Sequence, residues 1–522
     1  MYLRRYRAPV PSGARNWLTP AAWVAAVAAL LLLLFPVGFP NYDTIYSLLW
    51  GRELGEGLSP DRGGALPPTP HPLAELFGLV TSPLGGGAID LTMVVAYVAL
   101  GLIGYLVYRL GSLWFDRPVG AVAALIVLTR APYLSNGLRA YVDLPYIALC
   151  LGALLIETRR PRAGWPVLAL LALAGLLRPE AWLFSVAYVA YLALWPPTPE
   201  GNEDLGRLDE EERNSLERAD AQSAGPIRPA LVRAREFLSS QRGLSLVVLA
   251  LAAPLTWAAY DWVTAGSPTY SFTGTRETVE TLDRQTGPVD LVLYGPRRLG
   301  EVLQWPGMVG ALGGVVLGLA FLRRRSAIGV AAAVLALGGF AILACAGLAI
   351  IPRYTMLAAA VLAIFAAFGL LGWRLLERDH PWRRAWQAFA ALVALMLVAW
   401  APNQYDLLDR VDTDLTNQAR IEGDLNDLAE SGAFEPLCGP ISVPNHRAVP
   451  RLAWDLEVPP SRIVSSSEQR RPRHGYFLDP ASAFVIHNFV LDPNDPARLD
   501  TPVPPGFHAV ARNESWVLYR RC

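Results

Sequence analysis

Five short stretches carry the groups that could do chemistry, and each lies close to an end of a long apolar run. Asp43 stands in PNYDTIYSLLWGRELGEG, just after the first run, and Asp143 in SNGLRAYVDLPYIALCLG, one helical turn after Arg139. Arg178 and Glu180 flank Pro179 in LAGLLRPEAWLF, Arg353 and Tyr354 open a late run in AIIPRYTML, and His71 sits in PPTPHPLAELFG. A carboxylate within hydrogen-bond reach can take the proton of an attacking hydroxyl, and a guanidinium fork suits oxygens on which negative charge grows. Carboxylates and arginines together therefore fit displacement of a phosphate from an anomeric carbon. A phosphate already leaves well, so no proton donor of the glycosidase kind is required, and attack opposite it inverts the centre.

Each residue also has a plainer reading. Asp43 can cap a helix starting near Thr44, a common use of Asp. Asp143 can cap its own span or pair with Arg139, although an acid this near hydrocarbon is costly. Arg178 and Glu180 can form an ordinary ion pair in a tight turn, or belong to a re-entrant bend opened by Pro179. Arg353 can snorkel to the membrane interface, and His71 can cap the helix that follows it.

These residues are positioned by a membrane framework. Of 522 residues, 53% are hydrophobic and 17% charged, and several uninterrupted apolar runs reach bilayer-spanning length, which identifies a polytopic membrane protein. All 45 basic residues are Arg, the formal net charge is zero, and no basic stripe emerges, so nucleic acid is not a partner. Hydropathy places eleven spans, at residues 18–39, 88–108, 118–135, 141–157, 164–177, 180–195, 244–263, 306–322, 326–350, 354–374 and 384–401. Arginine clusters at 4–15, 159–162, 323–325 and 374–384 all fall on one side if the spans alternate, which makes the N-terminus cytoplasmic and the tail external. The first run is too long for a removable signal peptide and lacks a small-residue cleavage site.

The expected organisation is an all-α transmembrane domain over residues 1–401, with external loops at 41–87 and 264–305 and a cytoplasmic insertion at 196–243. The acidic, Pro-flanked start of that insertion reads as disordered, and ALVRAREFLSSQ at its end as a surface helix. Residues 402–522 read as a small extracytoplasmic α/β or β-rich domain, from short strand-like stretches such as PISVP, SAFVIH and SWVLYRR between turns. Cys438 and Cys522 both lie in this tail, and an oxidising compartment allows them to pair. Cys150 and Cys345 fall in apolar spans as packing residues. No metal-binding spacing occurs, and the six His are scattered.

The motifs in this order resemble the GT-C superfamily of integral-membrane glycosyltransferases, in the branch related to protein O-mannosyltransferases and lipid A aminoarabinose transferases. The resemblance spans about residues 15 to 375. It rests on Asp43 after span one, PPTPHPL before span two, Asp143 in YVDLPYIAL, RPEAW at 178–182, AGSPTYSFTGTRE at 265–277 and PRYTML in a late span. It implies a polyprenyl-phosphate sugar as donor and a glycan, lipid or protein as acceptor, at a bacterial plasma membrane. It further implies that Asp43 is the general base, Asp143 a second acid, and Arg178 and Arg353 phosphate ligands. His71, Arg139, Glu180 and Tyr354 complete the substrate-binding set. The family often has two adjacent acids where this chain has Asp43 and Thr44, which leaves the identity of the base and a divalent cation open.

Two other classes compete. A lipid-linked sugar flippase or transporter would place charges near the bilayer midplane in repeated broken helices, and no repeat is evident here. A non-catalytic scaffold with a degenerate fold of this type is favoured by Thr44 in place of the second acid.

Overall fold

The computed structural model describes residues 18–195, 227–466, 473–489 and 502–522. The acidic start of the insertion expected at 196–243, residues 196–226, lies outside them. All eleven apolar runs are helical over most of their length. Among the described residues, six helices are long and apolar enough to cross a membrane: Gly87–Trp114 (α4), Gln241–Ala265 (α11), Gly287–Phe321 (α13), Arg323–Cys345 (α14), Pro352–Leu375, whose main part is Met356–Leu371 (α15), and Arg383–Glu430 (α16). Arg117–Leu128 (α5) and Ala131–Leu138 (α6), bent by 60°, make a seventh if taken as one span. Leu18–Leu34 (α1), Asp143–Arg159 (α7), Trp165–Gly175 (α8) and Glu180–Leu194 (α9) are shorter. Among the described residues, then, six or seven helices are long and apolar enough to cross by themselves, and the other expected spans are shorter apolar helices.

The bundle closes around α15, which is buried on nearly all sides. Without a hydrophobic drive between helices inside lipid, close approach depends on small residues. At Gly314 of α13 an added Cβ would lie 1.9 Å from the Phe365 carbonyl oxygen of α15.

The polar segment after α1 is folded. Tyr42–Gly55 (α2) and Pro72–Thr81 (α3) cross so tightly that a Cβ on Gly51 would lie 2.4 Å from the Leu79 nitrogen. Ile227–Ser239 (α10) covers the expected surface helix, and Tyr270–Thr281 (α12) covers RETVET within the expected 264–305 loop. That loop ends early, because α13 is already helical from Gly287, with a break at Gln304 (φ 61°, ψ 160°).

The C-terminal unit grows out of α16, which runs unbroken through residue 402. Ile441–Val443 (β1), Ile463–Ser465 (β2), Gly475–Pro480 (β3), His508–Arg512 (β4) and Trp516–Arg521 (β5) form one sheet in the order β2-β1-β3-β5-β4. The first three are parallel, and β5 is antiparallel to both β3 and β4. Val449–Asp455 (α17) and Ala483–Asn488 (α18) complete it. Cys438 and Cys522 are bonded, with Cα atoms 5.7 Å apart. Tyr46, Leu49 and Trp50 of α2 share one core with Leu452, Ile463, Tyr476 and Leu478, so the C-terminal unit fixes the helix that carries Asp43.

Candidate active site

Asp43 stands in the first turn of α2, and the cap is supplied by its neighbour. Asn41 accepts from the backbone N–H of Asp43 and Thr44 at 2.8 and 3.3 Å, and its amide donates to the Arg139 carbonyl at 2.8 Å. With the orphan helix donors met by Asn41, the Asp43 carboxylate is free to face outward. It meets the Arg353 guanidinium at 3.3 Å, and both side chains keep partial exposure, 23% and 22%. Arg353 lies over the rings of Tyr141 and Tyr354, at 5.2 and 5.4 Å. Thr44, where a second acid would stand, is buried and donates its hydroxyl to the Ala140 carbonyl at 2.8 Å.

Behind this pair lies a buried triad. Arg178 meets Asp143 at 3.0 Å through Nη1 and Glu180 at 2.8 Å through Nη2, and it stacks 4.2 Å over the Tyr354 ring. Asp143 is 2% exposed and Glu180 5%. Asp143 therefore pairs with Arg178 rather than with Arg139, and it does not line the cavity into which Asp43 opens. The reason is geometric: Asp143 opens α7, Arg178 lies in the turn between α8 and α9, and the fold brings these two points within 3.0 Å. The triad carries two negative charges and one positive.

His71 occupies the N-cap position of α3 without a side-chain capping bond. It is buried against the Trp257 ring, and its Nδ1 has no hydrogen-bond partner among the described residues. Burial first, and Arg178 second, hold its pKa down to about 4, so the imidazole is neutral near pH 7. Glu75, one turn into α3, is fully buried and anchors this segment to α11 by accepting from Tyr260 and from Arg62. Its pKa is raised by that burial.

These elements enclose a cavity of about 990 Å³ at the end of the bundle that carries the C-terminal unit. Asp43, His71, Arg139, Arg178, Glu180, Arg353 and Tyr354 all line it. One flank is apolar, built from Trp182 and Leu183 of α9, Pro254 and Trp257 of α11, and Ile342 and Leu343 of α14. Another part of the lining is polar, with Asp414, Gln418 and Glu422 of α16 and Arg447 from the C-terminal unit. Arg139 belongs to that side, donating to Gln418 at 2.8 and 3.0 Å and to Ser135.

Sequence reasoning missed several lining residues. Asp261 holds α12 in place by accepting from the N–H and hydroxyl of Ser271, both at 2.8 Å. Arg298 pairs with Glu301 at 3.1 Å. Nothing local marks either as part of a site. The α16 residues did carry a signal, since Leu407, Val411, Asp414, Gln418 and Glu422 follow helical spacing on one face. Among the described residues no three His, Cys, Asp or Glu come together to hold a metal ion.

No protein-family model matches the sequence, and no curated protein matches it. Solved structures do resemble it. ArnT from Cupriavidus metallidurans bound to undecaprenyl phosphate superposes with a TM-score of 0.51 at 15% identity, over 97% of this chain and 98% of that one. The apo state of ArnT gives 0.47 at 14% identity, over 96% and 98%. The oligosaccharyltransferase AglB from Archaeoglobus fulgidus, in complex with an inhibitory peptide and a dolichol-phosphate, gives 0.44 at 13%, over 85% of this chain and 64% of that one. The likeness to undecaprenyl-phosphate-bound ArnT, nearly end to end, shows that the two chains share a fold.

Proposed function

We propose that this protein is an inverting membrane glycosyltransferase that moves a sugar from a polyprenyl-phosphate donor to an acceptor hydroxyl. The observation that carries the reading is the Asp43 carboxylate, uncapped and facing a large cavity with a guanidinium 3.3 Å away. In the reaction, Asp43 takes the proton of the acceptor hydroxyl as its oxygen bonds to the anomeric carbon. The bond from that carbon to the phosphate oxygen breaks, and its electron pair leaves with the phosphate. Arg353 stabilises the charge gained there, and neutral His71 can offer a ring N–H to the same oxygens. The apolar flank between α9, α11 and α14 suits the polyprenyl chain, and the undecaprenyl-phosphate complex of ArnT supports that assignment by fold. Asp143 and Glu180 act as positioning residues, holding Arg178 and, through it, Tyr354.

The arginine clusters support a cytoplasmic N-terminus and an extracytoplasmic cavity and tail at a bacterial plasma membrane. The scaffold reading keeps Thr44 as its one supporting feature. Transfer from labelled polyprenyl-phosphate sugars into membrane fractions separates the two. Asp43→Asn is expected to lower the rate by about 10²- to 10⁴-fold at equal protein level. Transfer equal to wild type removes Asp43 as the base, and a product with retained configuration removes the single-displacement mechanism.

A further inference from the structure

Arg353 and Tyr354 sit in the segment 346–355 between α14 and α15, which has one short turn of its own, Pro352–Thr355. Buried backbone groups left unpaired inside an element must find partners elsewhere. Several of them find those partners in residues 285–298. The Ile350 N–H donates to the Gln285 carbonyl at 2.9 Å, and the Ile350 carbonyl accepts from Nε of Arg298 at 3.0 Å. Ile350 is 1% exposed, so water is no substitute for either bond. The Thr286 hydroxyl reaches the carbonyls of Ala344 and Leu348, at 3.1 and 3.0 Å.

Arg298 lines the cavity, yet its guanidinium is already committed on all three nitrogens. Besides Nε on Ile350, Nη1 donates to both oxygens of Glu301 at 3.1 Å and Nη2 to Oε1 of Gln285 at 2.7 Å. With its charge met by Glu301, a fork spent this way has little left for a phosphate. Arg353 differs, since the carboxylate it meets is Asp43, the proposed base. The kink at Gln304 gives the part of α13 that carries Arg298 an axis of its own, and Arg130 braces that kink by donating to Oε1 of Gln304 at 2.9 Å. A non-glycine residue keeps such a backbone conformation only where its surroundings over-determine it. We infer that Arg298 and Thr286 are positioning residues: by clamping the 346–355 segment they hold Arg353 and Tyr354 where negative charge grows on the leaving phosphate, without touching it. This inference rests on the glycosyltransferase reading above.

The test is a double-mutant cycle on full-length protein in membranes, reading transfer from a labelled polyprenyl-phosphate sugar into the membrane fraction at varied donor concentration. Arg298→Gln is expected to lower the maximal rate at least about tenfold while the half-saturating donor concentration stays within about threefold. Arg298→Lys keeps the charge but not the fork, and is expected to lose as much as Arg298→Gln. Thr286→Val keeps the shape and strands no charge, and is expected to lower the rate about fivefold. Added to Arg353→Gln, either change is expected to move the rate less than about twofold, because the group it positions is gone. Should Arg298→Gln not accumulate as folded protein, the Thr286→Val cycle decides by the same criterion. Arg298→Lys at the wild-type rate overturns the inference, since charge alone then suffices. Losses that multiply in the double variants also overturn it, because they mark independent action on substrate or folding. So does an Arg353→Gln rate equal to wild type, which leaves nothing to position while the transferase reading stands. No donor turnover by the wild type instead defeats that reading, and the inference with it.

Discussion

Asp143→Asn tests whether the second acid reacts or only positions. The change keeps the side-chain shape, and the amide oxygen it introduces can still accept from Arg178. Removing one partner of a buried pair usually costs about 3–5 kcal/mol, chiefly because the remaining charge is stranded. Here Arg178 retains Glu180 at 2.8 Å, and the triad moves from a net single negative charge to neutrality. The cost should therefore approach the difference between a charged and a neutral hydrogen bond, about 1 kcal/mol. Asp143 is 2% exposed and absent from the cavity wall, so its loss reaches the reaction only through Arg178 and Tyr354. We expect a rate reduction of about tenfold or less, equivalent to about 1.4 kcal/mol, against about 10²-fold or more for Asp43→Asn. Initial rates of transfer from a labelled polyprenyl-phosphate sugar and the apparent melting temperature in detergent should be measured on the same samples. An Asp143→Asn rate as low as that of Asp43→Asn, with melting unchanged, would refute the positioning argument and return Asp143 to the reacting groups.

Further outcomes follow from other parts of the structure. His71 titrates near 6.5 when unfolded and about 4 when folded, so between these values only the unfolded chain takes up the proton. Stability should be level above pH 7 and fall by about 3 kcal/mol as the pH drops from 6.5 toward 4. His71→Asn should abolish this part of the acid loss in a melting series, and an unchanged series would count against it. Gly314→Ala should lower stability by about 1–3 kcal/mol through overpacking against α15, whereas Gly338→Ala, with open space around it, should not. Fluorescence-detected size exclusion after a heat step reports both. Cys438→Ser with Cys522→Ser opens a crosslink across 84 residues and should cost about 2–4 kcal/mol, read as faster proteolysis of the C-terminal unit.

Much of the framework was legible in the sequence because lipid imposes a one-dimensional rule. A backbone that must satisfy its own hydrogen bonds in hydrocarbon becomes helix wherever the run is apolar, so each run at 18–39 through 384–401 could be found from composition. Whether a run crosses completely is another matter. α5 and α6 break at Thr129 and Arg130 with a 60° bend, α13 breaks at Gln304, and α8 is only eleven residues long. Pro132 and Pro306 stand just after two of those breaks, a local cause that averaged hydropathy does not register.

The site divides along the same line. Residue type and nearness to a span end marked Asp43, His71, Arg178, Glu180, Arg353 and Tyr354, all of which line one cavity, because ionisable groups at that depth are too costly to keep without a partner or a task. The partners were beyond reach. Asn41, not Asp43, caps α2, because its amide also reaches the Arg139 carbonyl, 98 residues away. Thr44 has the same cause, turned inward onto Ala140. Arg139 looked like the partner of Asp143 from their spacing, yet α6 ends at Leu138, just before Arg139, and Arg139 instead donates to Gln418.

By itself, then, the sequence determined that the chain is a helical membrane protein, which ionisable residues stand near the ends of its spans, and the order in which they occur. Tertiary structure alone decided which acid meets solvent and which is buried on an arginine, and that the C-terminal unit braces α2 and lines part of the cavity. The reason is that burial and pairing depend on side chains brought together across tens to hundreds of residues. Apolar periodicity, by contrast, is a local property that a single helix already reveals.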